Sequence, residues 1–215
     1  MRLVLLLLLC AFWAEALPAQ RADRATPGWV RVRLETSAGA IVVALDARRA
    51  PKTTANFLAY VDDGRLEDTR FYRAARRRSA PAFGFIQGGI STDARRMLPS
   101  PPLERTDVTG IRHLDATISM ARNTPPDSAT GNFFLTVGAT SNMDRSARSL
   151  GYAAFGRVVG GMAVVKRILA MPTGGGSGAM RGQMLQRPVR IVRAVRLDGR
   201  PRPTGRPKPW LLFRR

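Results

Sequence analysis

Cysteine, histidine and lysine are all scarce in this sequence of 215 residues. It holds one cysteine, Cys10, one histidine, His113, and three lysines, Lys52, Lys166 and Lys208, among 35 basic side chains. A disulfide framework and Cys- or His-rich metal sites are therefore excluded. Any Ser-His-Asp or Cys-His nucleophilic centre would have to be built around His113, and no G-x-S-x-G elbow supplies the serine. Aromatics make up only 7% of the chain, and they do not interleave with the basic residues as a single-strand nucleic-acid reader requires. Acidic residues are few as well, 15 against the 35 basic ones, for a net charge of +20. With 45% apolar and 23% charged residues the composition is otherwise that of an ordinary globular domain.

The longest apolar run is Leu3 to Trp13, following Met1 and Arg2. It is too short for the roughly 20 residues of a membrane span but suits the apolar region of a cleavable leader. Ala14-Glu15-Ala16 and Leu17-Pro18-Ala19 compete as cleavage sites, with the cut expected after Ala19. Residues 1–19 are thus read as a signal peptide, and the protein as exported, most simply to a periplasm. Cleavage would remove Cys10 and leave a core that must be stable without disulfides.

Charge divides unevenly along the chain. The leader nets zero, a linker at 20–28 carries +1, and Gly199 to Arg215 carries +6, which leaves +13 for residues 29–198. Because 32 of the 35 basic residues are arginine, coding composition alone could produce the excess; charge bears on solubility and association, not on chemistry. No specific nucleic-acid partner is expected. The C-terminal stretch, with Pro201, Pro203, Pro207 and Pro209 and a final Trp210-Leu211-Leu212-Phe213, reads as a basic, Pro-rich tail; its apolar end could dock on the barrel or touch an anionic surface weakly, but a frayed tail free of the domain is the favoured reading.

Between the ends the periods are clear. Trp29 to Thr36 alternates Val30, Val32 and Leu34 with Arg31, Arg33 and Glu35, a half-buried strand, and pairs across Ser37-Ala38-Gly39-Ala40 with the β-branched run Ile41 to Leu45. Pro51 opens a helix whose stripe includes Ala55, Phe57, Leu58, Tyr60 and Val61 and which stops at Gly64. Further strands are expected at Gly84 to Gln87, Ala116 to Met120, Phe133 to Val137, Ala153 to Val159 and Val189 to Leu197. A second helix fits Met162 to Met171 before Pro172 and Gly174-Gly175-Gly176. Many short antiparallel strands with two helices predict a closed β-barrel capped by helices.

Four segments carry the chemistry: Phe71-Tyr72-Arg73; Phe85-Ile86-Gln87-Gly88-Gly89; Ile118-Ser119-Met120-Ala121-Arg122; and Asn132-Phe133-Phe134-Leu135-Thr136. With Tyr152-Ala153-Ala154-Phe155-Gly156-Arg157-Val158 and Gly160-Gly161-Met162, their order resembles the cyclophilin family of peptidyl-prolyl cis-trans isomerases over roughly Trp29 to Leu197. The resemblance implies an eight-stranded antiparallel barrel closed by two helices, and rotation about X-Pro bonds in unfolded or extended polypeptides. That chemistry needs no nucleophile, metal or cofactor, and a monomer suffices. It also implies a catalytic Arg73 oriented by Gln87, and substrate contacts from Phe85, Phe134, Met143, Ala121, the main chain of Arg122, Asn132 and Tyr152.

The match has departures. Thirteen residues, Ala74 to Ile86, separate Arg73 from Gln87, a longer interval than is usual in the family, and they include Arg76, Arg77 and Arg78, which read as a solvated loop. The pocket phenylalanine is either Phe83 or Phe85. Asn132 replaces a usual glutamine, Asn142 a frequent tryptophan and Tyr152 a frequent histidine; loss of the indole should weaken binding of the cyclic peptide cyclosporin. Two functions stay open: an exported isomerase that assists folding of other exported proteins, and a catalytically weak cyclophilin-like module that binds peptides.

Overall fold

A computed structural model describes residues 27–213; the leader and most of the linker fall outside them. Nine strands form one antiparallel sheet: β1 Trp29–Thr36, β2 Gly39–Asp46, β3 Thr69–Arg76, β4 Gly84–Gly89, β5 Thr117–Met120, β6 Asn132–Val137, β7 Ala154–Gly160, β8 Thr173–Gly174 and β9 Met184–Arg196. Their order is β1-β2-β7-β5-β6-β4-β3-β9, and β1 pairs back onto β9, so eight strands close a barrel while the two-residue β8 adds to β9 outside the ring. Closure removes the free edges that an open sheet leaves for aggregation.

Alternation in the sequence maps onto the barrel wall. Val32 and Leu34 of β1 point inward, with Ile41, Val43 and Leu45 of β2 beside them. Two amphipathic helices, α1 Pro51–Asp62 and α3 Met162–Ala170, pack on the barrel, and α2 Thr106–Thr109 is a single turn between them in sequence. Phe57 of α1 meets Phe133 at 5.3 Å and Phe155 at 5.4 Å between ring centroids, and Phe133 meets Phe71 at 5.6 Å, all tilted or edge-on. Rings in these geometries attract beyond their area burial, so the four phenylalanines tie α1 to three strands. The sequence reading of two helices omitted α2, which at four residues leaves no periodic trace.

Two expectations fail. The tail is not free: Trp210 is 2% exposed and packs against the guanidinium groups of Arg65, 4.6 Å from its ring, and Arg96, at 5.3 Å. Arg65 donates to the Pro207 carbonyl at 3.1 Å, and Thr204 gives both its N–H and its hydroxyl to the Asp63 carboxylate at 2.7 and 2.6 Å. A Pro-rich composition predicts an extended chain but says nothing of a socket 140 residues away. Nor is the triple arginine a solvated loop throughout. Arg76 ends β3, and its guanidinium reaches the last carbonyls of α3, those of Leu169, Ala170 and Met171, and the Thr173 hydroxyl, where a cation complements the helix dipole.

Candidate active site

β3 and β4 form the hairpin that settles the long interval between Arg73 and Gln87. Its register sets Arg73 directly opposite Gln87, with a bulge between Phe71 and Arg73. A bulge leaves one extra residue on its strand and lets neighbours share a face. Phe71 is buried in the core, while both Tyr72 and Arg73 reach the outer face. Gly84 makes the far end possible, since a Cβ there would lie 2.0 Å from the Ala75 carbonyl oxygen at φ 147°.

The guanidinium of Arg73 is held on three sides. Nη1 donates to Gln87 Oε1 at 2.9 Å, Nε to Gln183 Oε1 at 2.9 Å and Nη2 to the Ala179 carbonyl at 3.3 Å. All three acceptors are uncharged. A guanidinium has five N–H groups, so two remain, one on each terminal nitrogen. Burial lowers the Arg73 pKa, with the Tyr72 and Tyr152 hydroxyls acting the other way, but an arginine stays protonated throughout. Its positive charge thus stands uncompensated.

Gln87 is fixed in turn. Its Nε2 donates to the Tyr72 hydroxyl at 2.9 Å, and that hydroxyl donates to Asn132 Oδ1 at 3.3 Å. Asn132 clasps Ser91, accepting from its N–H at 2.7 Å and donating to its carbonyl at 2.8 Å. Ser91 has φ 54°, a left-handed conformation that costs a non-glycine residue of order 1 kcal/mol and persists only when its surroundings hold it. The shorter amide of Asn132 therefore braces the wall of the site while lining the groove, with one Nδ2 N–H beyond the bond to Ser91.

Beside Arg73 lies a groove of about 450 Å³, lined by Phe85, Phe134, Ala121, Met143 and Tyr152 among others. Phe85 and Phe134 sit 5.2 Å apart, and Tyr152 stands edge-on to Phe134 at 5.6 Å. The Arg73 guanidinium carbon is 5.1 Å from the centroid of Phe85. Arg122 turns its side chain to the carbonyls of Gly151, Asn123 and Thr124 and lies over Tyr152 at 5.2 Å. Phe83 is not part of the groove. It precedes β4, is 44% exposed, and packs under Arg77 and against Gly138; alternation would set it on the face of Phe85 and Gln87, but it lies before the strand begins, on the far side of Gly84 with its φ of 147°.

Behind the Phe134 wall the His113 ring stacks at 5.7 Å and 12°. Its Nδ1 bonds Asp144 at 2.6 Å and its Nε2 bonds the Ser119 hydroxyl at 2.9 Å. The order Ser-His-Asp is that of a nucleophilic triad, but Ser119 is fully buried and no substrate can reach it. The chain of bonds supports the groove from beneath.

Contributors that were not read from the sequence include Tyr72, Ser91, Ala179, Met180 and Gln183. The last three sit on the connection between β8 and β9. The run Gly174-Gly175-Gly176 marked the end of a helix; continued by Ser177-Gly178, it was also a sign of a shaped loop.

The comparisons agree with this geometry. The family model for cyclophilin type peptidyl-prolyl cis-trans isomerases matches residues 31–196. The chain belongs to the cyclophilin family. It is an isomerase by that membership, and among curated cyclophilins it is 41% identical over 142 residues to peptidyl-prolyl cis-trans isomerase A of Dickeya dadantii, covering 66% of this chain and 72% of that protein. It is 32% identical over 146 residues to peptidyl-prolyl cis-trans isomerase B of Escherichia coli, covering 66% and 86%. The fold matches a Cryptosporidium parvum cyclophilin crystallised in the presence of the dipeptide Ala-Pro, with a TM-score of 0.64, 20% identity, and coverage of 79% of this chain and 99% of that one.

Proposed function

We propose that this cyclophilin rotates X-Pro bonds in extended segments of other exported proteins, with Arg73 as the catalytic group. The carrying observation is a guanidinium fixed by three neutral acceptors beside an apolar groove. Amide resonance sets a barrier of roughly 18–20 kcal/mol, and uncatalysed X-Pro isomerisation takes tens of seconds or longer. As the bond twists, the prolyl nitrogen loses conjugation and gains a localised lone pair. A free N–H of Arg73 donates to that lone pair, which the planar ground states do not offer, so the interaction strengthens only in the twisted state. Phe85, Phe134 and Met143 hold the pyrrolidine ring while the preceding carbonyl swings.

The peptide-binding alternative drew on the long interval after Arg73 and on Asn132. Direct pairing of Arg73 with Gln87, and the Asn132 bonds to Ser91, support the isomerase reading over it. The deciding assay follows isomerisation of a short proline peptide: turnover by the parent protein and its loss in Arg73→Ala support the reading, and turnover untouched by Arg73→Ala overturns it. Export rests on the leader at residues 1–19. Mass spectrometry of the protein from an extracytoplasmic fraction should find a mature N-terminus at Gln20; an intact Met1 in a cytoplasmic fraction would refute export.

A further inference from the structure

Two arginines line the groove, Arg73 and Arg122, and no carboxylate does. Both are held by neutral oxygens alone. The three carboxylates adjacent along the chain to lining residues are spent elsewhere: Asp144 on the buried His113, Asp127 on the Leu103 N–H, and Asp93 on Arg95 and Arg96. Arginine–carboxylate pairs occur instead on other parts of the barrel, as in Arg31–Asp198, Arg33–Glu35, Arg65–Asp63 and Arg196–Asp62. The scarce acids thus offset part of the charge elsewhere on the barrel, and none of them lines the groove.

Two further arginines extend that field beyond the rim. Arg181 follows Met180, a lining residue at the tip of the β8–β9 connection, and is exposed. Arg148 is exposed at the tip of a loop whose base is closed by the Tyr152 N–H on the Met143 carbonyl at 3.0 Å, both lining residues. Among the described residues neither forms an ion pair. Charge left uncompensated on two banks of a groove raises the local concentration of anionic ligands and speeds their encounter.

We propose that the groove selects extended segments whose proline is flanked by acidic side chains, Arg181 receiving a carboxylate on one bank and Arg122 with Arg148 on the other. The inference rests on the groove being the isomerase site, and it adds the substrate class. A uniform effect of the +20 net charge is the competing account, and a matched pair of variants separates the two. Arg148→Glu/Arg181→Glu reverses the banks; Arg200→Glu/Arg202→Glu makes the same change in net charge near Trp29 and α1, on residues that line no part of the groove.

Turnover would be measured on end-capped peptides with Glu, Gln or Lys two positions before and two after the proline. In the parent, kcat/KM should be about tenfold higher for Glu than for Lys at roughly 20 mM salt and converge within about twofold near 0.5 M, where the Debye length falls below the span of the groove. The tail variant should keep that ratio, and the bank variant should bring it to one or below. A parent ratio of one at low salt, or equal shifts in both variants, would overturn the proposal. Absence of turnover on all three peptides would strike the isomerase assignment instead, and titration calorimetry with the same peptides would then still read the charge preference.

Discussion

Arg65 and Arg73 stand eight residues apart on either side of the start of β3, and each tucks a guanidinium into the fold among oxygen acceptors. Arg65 is 1% exposed, and its Nε meets the Asp63 carboxylate at 2.7 Å, with the Trp210 ring over its face. Burial pushes the Asp63 carboxyl up, but hydrogen bonds from Thr204 and Arg65 outweigh it and hold it below the usual carboxylate range. The Arg65–Asp63 pair is neutral overall, so it fastens the tail and has no charge left to act on anything else. Arg73 has the same planar fork with three neutral partners. Its location is just as fixed, and its field stays directed at the groove. What distinguishes a structural arginine from a reactive one here is the charge of its acceptors, more than its depth.

Exchanging the two roles is the strongest test. Arg73→Ala should lower kcat/KM by about 10²- to 10³-fold, in the range seen on removing one preorganised donor, with a thermal midpoint within about 2 °C of the parent. Arg65→Ala should do the reverse. It leaves Asp63 buried without its cation, which costs about 3–5 kcal/mol of stability, while the folded fraction turns over proline peptides within about twofold of the parent. Denaturant unfolding with an isomerisation assay on both variants checks the pair. A collapse of activity in folded Arg65→Ala would show that the two clusters are not independent.

Next in size is the tail. Ending the chain at Asp198 removes Trp210 and the two Thr204 hydrogen bonds and opens the Arg65–Asp63 pair to water. A loss of about 3 kcal/mol is expected, at the low end for deleting a buried tryptophan because the socket lies near the surface. Urea melts of the full and shortened proteins measure it; equal midpoints would mean that the contacts around Trp210 contribute nothing.

Smaller again is the effect of Gln183, the acceptor on Arg73 Nε. Replacing it by methionine keeps the length of the side chain and removes the oxygen, leaving Gln87 and Ala179 to hold the fork. The guanidinium should then wander, and kcat should fall about tenfold with KM within about twofold, since small misplacements of a catalytic group are costly. In an Arg73→Lys background, which lacks Nε altogether, the same change should have no further effect. Additive losses in that cycle would assign Gln183 a role apart from Arg73.

How far the sequence reached differs between these two arginines. The barrel was legible because alternation and helical stripes are local: Val30, Val32 and Leu34 announce β1, and Phe57, Leu58 and Val61 announce a buried helix face. Arg73, Gln87, Phe85 and Phe134 were legible as a family pattern. Gln183 and the Arg65 socket were not, since each depends on contacts across more than 100 residues. Tyr72 escaped for a different reason. Strict alternation would turn Tyr72 and Arg73 to opposite faces, and only the bulge between Phe71 and Arg73 brings both to the groove.

His113 offers the finest distinction, because it has a carboxylate partner like Arg65 and yet tends to neutrality. Burial lowers its pKa, and the Asp144 hydrogen bond opposes that only in part. With the folded value below the ordinary histidine value of 6.5, the unfolded chain binds more protons as pH falls through that region, so the stability contributed by neutral His113 is complete above about 6.5 and drains away as pH drops toward the folded pKa. The unfolding free energy of the parent should therefore decline between about pH 7 and pH 5, and the decline should shrink in His113→Gln. A parent curve that is flat, or that rises toward acid, would mean Asp144 holds the imidazole charged. His113 would then belong with Arg65 as a neutralised cation, and Phe134 would rest on an ion pair.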